Sequence, residues 1–161
     1  KYVLESIEKL KKNYCIDFIL VEKKTQKEAL EIYKKADIIV DQFFAQTYGV
    51  FAVEAMAMGK PVVGYISDEI KKTFPDSMPI VSATIDNMTE ILEELIKNGK
   101  MRRELGISGR KYVETYHDYR KVAQVQMDIY NNIIEPMSTL ESFEYTAKKV
   151  VGNVRNCRNY I

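Results

Sequence analysis

The sequence predicts an α/β fold: a doubly wound parallel sheet with helices on both faces. Four short apolar runs rich in β-branched residues lack the alternation of half-exposed strands, which indicates strands buried on both sides. Segments with helical spacing separate these runs, as a parallel sheet requires. From Asp86 the pattern is wholly helical, so we also expect a helical C-terminal extension.

The elements follow one another with short connections. The chain begins in an amphipathic helix over 2–12, whose apolar residues share one face. The predicted strands are 16–21, 37–41, 61–66 and 79–82. The helices between them are 27–35, 50–58 and 67–72. Three more helices are predicted over 87–97, 101–116 and 119–134, with Asp86 or Asn87 capping the first. Pro136 ends the last one, since proline disfavours helical geometry in the preceding residue.

These elements amount to one domain, because 161 residues suffice for a single substantial core. We place a Rossmann-like domain at residues 1–134. Residues 135–161 form a C-terminal tail, in which we expect a further helix and a polar, basic end.

Composition argues against several classes of function. Lys and Arg total 24 against 23 Asp and Glu, so the net charge of +1 gives no field that would attract nucleic acid. Cys15 and Cys157 lack the paired spacing of a zinc or redox site. His117 is the sole histidine and is expected at a junction between helices rather than in catalysis. No apolar run reaches the roughly 20 residues of a membrane span, and the first residues lack a signal-peptide pattern. We expect a reduced, cytoplasmic protein.

The helix predicted over 50–58 carries a single charged residue, Glu54, on an otherwise apolar surface. A helix without a polar face belongs inside a fold, and a carboxylate there needs hydrogen-bond donors. Two kinds of partner are open: a neighbouring amide, Tyr or Lys in a structural network, or a pair of hydroxyls on a ligand.

Gly49 lies in the strand-to-helix loop directly before this helix. A glycine there lets backbone approach a ligand while the first helical amides face outward with the helix dipole, and such a terminus binds phosphate. A turn glycine needed only for chain reversal is the alternative. Because Glu54 lies about one and a half turns into the helix, a nucleoside diphosphate at the N-terminus would place its ribose near that carboxylate.

Residues 46–63 read Gln-Thr-Tyr-Gly-Val-Phe-Ala-Val-Glu-Ala-Met-Ala-Met-Gly-Lys-Pro-Val-Val. They resemble the donor-binding motif of the group 1 retaining glycosyltransferases, which have the GT-B fold. That motif reads Glu, any residue, Phe-Gly, four residues, Glu-Ala-Met-Ala, a small residue, Gly, any residue, Pro-Val. The resemblance covers roughly residues 1–134 and includes the ending from Arg102 to Tyr119. It implies the C-terminal, donor-binding domain of such an enzyme.

The resemblance also assigns roles to residues. Glu54 is implied to bind the ribose hydroxyls of a nucleotide-diphosphate sugar. Gly49, with the amides of Val50 and Phe51, is implied to hold the diphosphate. Thr47 and Tyr48 belong to the same binding loop, and Tyr48 replaces the family's Phe.

Gln46 replaces the family glutamate that faces the donor sugar. Its amide still hydrogen-bonds a sugar hydroxyl but carries no charge, which puts ordinary catalysis in doubt. Gln46 is nevertheless the one candidate catalytic residue within this chain.

Other residues follow predicted strands at their carboxyl ends, where open α/β sheets bind ligands. Lys23 and Lys24 either border the nucleobase or are solvated loop residues. Tyr65, Ser67 and Asp68 either border the sugar or cap a helix.

The family's acceptor-binding domain, and the Arg and Lys that neutralise the departing diphosphate, would precede Lys1. Transfer needs that stabilisation and a closed cleft, so we expect this chain to be a fragment that is inactive alone. The resemblance implies a hexosyltransferase whose missing N-terminal domain binds a sugar or lipid-linked acceptor, with peripheral membrane association of the full-length protein. No cofactor and no metal are expected, because no Asp-x-Asp pair is present.

Two alternatives remain open. One is a non-catalytic nucleotide-sugar-binding or protein-interaction module, in which Gln46 reflects lost catalysis and residues 137–161 form a contact surface. The other is an epimerase or phosphorylase with the GT-B fold. The sequence specifies neither the base, the sugar nor the acceptor.

Overall fold

The computed structural model describes residues 1–75 and 77–134, and the predicted tail lies outside them. The elements are α1 Tyr2–Leu10, α2 Gln26–Lys35, β1 Ile39–Val40, α3 Val50–Ala57, β2 Val62–Gly64, α4 Asp68–Lys71, β3 Val81–Ser82, α5 Met88–Lys97, α6 Gly99–Tyr116 and α7 Tyr119–Ile134.

The strands form a parallel sheet in the order β1-β2-β3. Ile39 pairs with Val62, and Gly64 pairs with Ser82. Helix α3 connects β1 to β2, and α4 connects β2 to β3. The central strand β2 is buried throughout, as a strand covered on both faces should be. The predicted α/β class is confirmed.

Helices cover both faces of the sheet, as two consecutive residues of β2 show. Val62 packs in a cluster with α3 and with Tyr112 of α6. Val63 points to the opposite face, because successive side chains of a strand alternate, and packs with residues of α1 and α5. The sheet is therefore doubly wound, with α3 and α6 on one side and α1 and α5 on the other.

The strand predicted over residues 16–21 was wrong. This segment makes no strand pairing within the described part of the chain. Ile16 and Phe18 pack against the cluster of α1 and α5, whereas Ile19 and Leu20 are exposed. An apolar run predicts burial, but a strand also needs a hydrogen-bonded neighbour, which the run itself does not specify.

Helix α3 was expected to be buried all round, and this expectation was also wrong. Ala52, Ala55 and Met56 are buried, but Val50 is 74% exposed and Glu54 is only partly buried. An almost uniformly apolar helix has little amphipathic direction, so its sequence does not indicate which side faces the core. The exposed side includes the first turn, next to the β1–α3 loop.

The helix starts are fixed locally. Thr25 and Glu28 form a capping box at α2, in which each side chain accepts a hydrogen bond from the other residue's backbone N–H. The Ser67 hydroxyl accepts from a backbone N–H of α4 at 3.3 Å, so Ser67 is a helix cap. Asn87 makes no side-chain cap on α5, because its carbonyl oxygen accepts from the Thr84 N–H instead.

Helix α6 approaches the end of α3 closely because glycines line the contact. A Cβ at Gly106 would lie 2.1 Å from the carbonyl oxygen of Gly59, whose φ of +70° turns the chain after α3. A Cβ at Gly109 would lie 3.2 Å from the Met56 side chain. This approach brings the C-terminal half of α6, including Tyr112, under the β1–α3 loop.

Candidate functional site

The β1–α3 loop follows the carboxyl end of β1, the edge at which parallel sheets bind ligands. Gly49 is the last residue before α3, with extended backbone at φ −111° and ψ −172°. A Cβ there would make only an ordinary contact, 3.7 Å from Gln42 Nε2. Neither the chain reversal nor the surrounding packing therefore requires glycine at this position.

The N-terminal end of α3 is accessible. The first N–H groups of a helix have no acceptor within the helix, and here these include the amides of Val50 and Phe51. The side chain of Val50 is 74% exposed. The positive end of the α3 dipole thus opens at the loop edge.

Glu54 lies at the seam between α2 and α3 rather than inside the core. Its Oε1 accepts a hydrogen bond from Gln26 Nε2 at 2.7 Å. Its Oε2 has no donor among the described side chains and backbone groups. Burial raises the pKa of nearby Tyr33, and the Glu54 charge raises it further. Glu54 therefore has a protein partner for one oxygen and none, among the described residues, for the other.

Two aromatic rings hold this seam together. Tyr33 of α2 packs on Phe51 of α3 with ring centroids 4.7 Å apart. Lys23 and Lys24 are exposed and precede α2, in the turn that leads to Gln26. Neither lysine forms an ion pair with a described residue. The turn, the start of α2 and Glu54 thus share one side of the site.

Gln46 is exposed and adopts a left-handed conformation, φ +59°. For a residue other than glycine this costs roughly 1–2 kcal/mol. The loop compensates with backbone contacts: the Gln46 carbonyl accepts from the Ser67 N–H at 3.1 Å, and Gln42 Nε2 donates to the Thr47 carbonyl at 3.0 Å. The backbone of Gln46 is therefore fixed while its side chain extends from the loop edge.

Tyr48 points into the fold. Its hydroxyl is 3.0 Å from the Tyr112 hydroxyl and 3.1 Å from His117 Nε2, and its ring packs on Phe74 at 5.0 Å. Burial raises the pKa of Tyr48, and the hydrogen bond with Tyr112 adds to that effect. The hydroxyl thus ties the loop to the C-terminal end of α6. One feature of the sequence could have indicated this contact, because a Tyr in place of a packed Phe needs a partner for its hydroxyl.

We expect His117 to make stability depend on pH. Burial lowers the pKa of His117 from its ordinary value of 6.5, so the folded chain takes up this proton at lower pH than the unfolded chain does. The contribution to the free energy of unfolding is fully present above about pH 6.5 and is lost as pH falls through the folded pKa. In the imidazolium form Nε2 is a donor and cannot accept a hydrogen bond from the Tyr48 hydroxyl.

Urea unfolding of wild type and His117→Gln between about pH 5 and pH 8 tests this expectation. The stability advantage of the wild type should shrink toward acid pH. The comparison between the two proteins removes the contribution of carboxylates, which titrate in both. An advantage that stays constant over the range would contradict the expected titration of His117.

Asp41 is a second carboxylate at this edge, directly after β1, and we did not single it out from the sequence. Burial raises its pKa, and the backbone amides of Gln42 and Gly49 act in the opposite direction. Its position, as a charged residue directly after an apolar strand, is the sequence feature that could have identified it as a site residue.

A depression of about 700 Å³ lies at the other end of α3, next to Gly59. Arg103, Arg110 and Lys111 line it, and Arg110 donates to the Ala57 carbonyl at the end of α3. Cations at a helix C-terminus compensate its dipole. No residue of the 46–54 segment lines this depression, so it is separate from the candidate site.

Within residues 1–75 and 77–134, no group of three or more His, Cys, Asp or Glu side chains is arranged to hold a metal ion. No helix in the same ranges is both long and apolar enough to cross a membrane.

Comparisons with known proteins agree with this arrangement. A family model described as glycosyl transferase-like matches residues 19–128. Among solved structures, sucrose-phosphate synthase from Thermosynechococcus elongatus is similar to this chain, with a TM-score of 0.57 and 17% sequence identity. The similar region covers 81% of this chain and 33% of the synthase chain, so this chain spans about a third of that length. At this identity the likeness concerns the fold alone. No curated protein sequence matches this chain significantly.

Proposed function

This chain belongs to the glycosyl transferase-like family, and from that premise we propose that it is the donor-binding domain of a retaining glycosyltransferase. The donor is a nucleotide-diphosphate sugar. One observation carries the proposal: α3 combines an accessible first turn at Val50 with a carboxylate, Glu54, that has one oxygen without a donor among the described residues. These two features suit the two polar parts of a nucleoside diphosphate.

The diphosphate is proposed to bind at the first turn of α3. The amides of Val50 and Phe51 would donate to its oxygens, and the helix dipole favours the negative charge. Gly49 has no conformational or packing reason to be glycine, which supports close approach by a ligand at this point. When the bond between the sugar and the diphosphate breaks, the same amides would stabilise the negative charge on the departing nucleoside diphosphate.

The ribose is proposed to bind at Glu54. Glu54 lies five positions after Gly49, which corresponds to about 7.5 Å along the helix axis. This distance suits a nucleotide lying along α3, with its diphosphate at the N-terminus and its ribose hydroxyls donating to Glu54 Oε2. The base would then point toward the turn of Lys23 and Lys24, which precedes α2.

The sugar is proposed to face Gln46 at the loop edge. Transfer to a sugar or lipid-linked acceptor, with peripheral membrane association, would require a separate acceptor-binding domain. In this proposal the reaction is a hexosyl transfer without a divalent cation. One observation favours the non-catalytic module instead: Gln46 stands where the family motif has a glutamate. A transferase and a nucleotide-sugar-binding module both require the nucleotide site, so that site is the part to test first.

We expect the purified chain to bind a nucleoside diphosphate. Isothermal titration calorimetry with UDP, GDP and ADP, and separately with the nucleoside of each and with inorganic pyrophosphate, provides the measurement. At least one diphosphate should bind about tenfold or more tightly than either half-ligand, because only the whole nucleotide reaches both Gly49 and Glu54. Failure of all three diphosphates to bind, or equal affinity for pyrophosphate alone, would contradict the proposal.

A further inference from the structure

We propose that Gln26 is a positioning residue that gives this site its preference for ribonucleotides. It would hold the Glu54 carboxylate so that Oε2 faces the ribose, and it would add an acceptor of its own beside that oxygen. This inference rests on the proposed function, since it concerns the ribose end of the same site.

The contact is a tertiary one between two well-anchored elements. Gln26 is the first residue of α2, and its Nε2 donates to Glu54 Oε1, 28 residues further along the chain, at 2.7 Å. The capping box of Thr25 and Glu28 fixes the start of α2. The side chain of Gln26 therefore departs from a defined backbone position.

The seam between α2 and α3 keeps this geometry. The Tyr33 and Phe51 rings pack 4.7 Å apart between the same two helices, after Gln26 in α2 and before Glu54 in α3. Glu54 has three side-chain torsions, and immobilising them on binding costs conformational entropy. A partner that orients the carboxylate before the ligand arrives removes part of that cost.

A neutral amide suits this task better than a cation. Lys23 and Lys24 are near in sequence, yet Glu54 forms no ion pair with either of them. An ammonium group would hold the carboxylate by a stronger, charge-assisted bond and would compete with ribose hydroxyls. The Gln26 amide occupies one oxygen only and leaves the charge of Glu54 uncompensated.

The carboxamide also leaves an acceptor at the site. Gln26 donates to Glu54 through Nε2, so the Oε1 of Gln26 retains its full capacity to accept hydrogen bonds. Glu54 Oε2 and Gln26 Oε1 then form a pair of acceptors, which matches the two donors of a vicinal ribose diol. A 2′-deoxyribose leaves one of these acceptors without a donor, so it should bind more weakly.

The test compares a nucleoside diphosphate with its 2′-deoxy form, using whichever of UDP, GDP or ADP binds the wild type best. We expect Gln26→Ala and Gln26→Met to weaken binding of the ribonucleotide about three- to tenfold and to bring the ribo-to-deoxy affinity ratio close to one. Gln26→Met keeps the side-chain length and removes the amide. Lys27→Ala, at the neighbouring exposed position, should leave both affinities unchanged.

Two controls separate the possible outcomes. In a Glu54→Gln background, Gln26→Ala should change the ratio less than it does in wild type, because part of its effect acts through the Glu54 carboxylate. An unchanged ratio in both Gln26 variants, with discrimination lost in Glu54→Gln, would overturn the role of Gln26 and leave the donor site standing. Absence of any diphosphate binding by wild type would instead reject the donor site itself, and this inference with it.

Discussion

The variant Gly106→Ala is expected to lose about 3 kcal/mol or more of folding stability, at the upper end of the range for overpacking. The new Cβ would lie 2.1 Å from the Gly59 carbonyl oxygen. The position of the Cβ is fixed by the helix backbone and the oxygen belongs to the backbone, so no side-chain rotation relieves the clash. Alanine has a helix propensity better than that of glycine by about 1 kcal/mol, and this gain is too small to offset the clash. Urea unfolding of the two proteins at neutral pH gives the difference in free energy directly.

A matched variant on the same helix face is Gly109→Ala. Its Cβ would lie 3.2 Å from atoms of the Met56 side chain, which has several torsions with which to adjust. We expect a change within about 1 kcal/mol of wild type, because helix propensity and tighter packing oppose each other. Equal stability of Gly106→Ala and wild type would show that α6 does not lie against Gly59 as described.

This close approach also matters for the site. Because α6 lies against the end of α3, Tyr112 and His117 come within hydrogen-bond distance of Tyr48, in the loop before α3. Gly106 and Gly109 are not part of the proposed binding site, yet they determine the position of Tyr112 and His117, which hold Tyr48 of the binding loop. A partly folded Gly106→Ala protein should therefore lose nucleotide affinity as well as stability.

Much of the fold could be predicted from the sequence because the strands β1, β2 and β3 are short, at least partly buried and separated by single helices. The wrong strand at 16–21 had the same composition, and what it lacked was a pairing partner. Strand pairing is a tertiary property, and no local pattern reports it. The burial of α3 failed for a related reason, since its apolar residues surround the whole helix and indicate no direction.

The candidate site divides in the same way. Gly49 and Glu54 lie on one helix, so their spacing follows from helix geometry and could be predicted. The partners of the site could not, because Gln26 meets Glu54 across 28 residues, and Tyr48 meets His117 across 69. The carboxylate of Glu54 indicated that it needs a partner, and the same reasoning applies to the hydroxyl of Tyr48, although no partner for that hydroxyl was predicted from the sequence. Only the structure identifies Gln26 and His117 in those roles.

Glu54→Gln is expected to weaken binding of a nucleoside diphosphate about ten- to a hundredfold. A hydrogen bond to a charged group contributes roughly 1.5–3 kcal/mol, and the neutral amide loses that charge while keeping the side-chain shape. Fold stability should change less than affinity, because Glu54 is only partly buried and its neutral replacement can still accept from Gln26. Calorimetric titration alongside thermal melts measures both quantities on the same preparations.

The control is Glu31→Gln, which removes the same charge from an exposed residue of α2 that pairs with Lys34. Exposed pairs contribute little, so both affinity and melting temperature should stay close to wild type. If Glu54 served only the structure, the ranking would reverse: Glu54→Gln would melt earlier because the α2–α3 seam had lost its charged contact, and the affinity for a nucleotide that binds wild type would stay the same. An unchanged affinity would therefore contradict the proposed binding of ribose by Glu54. A loss of affinity at a nearly constant melting temperature is the result expected of a ribose-binding carboxylate.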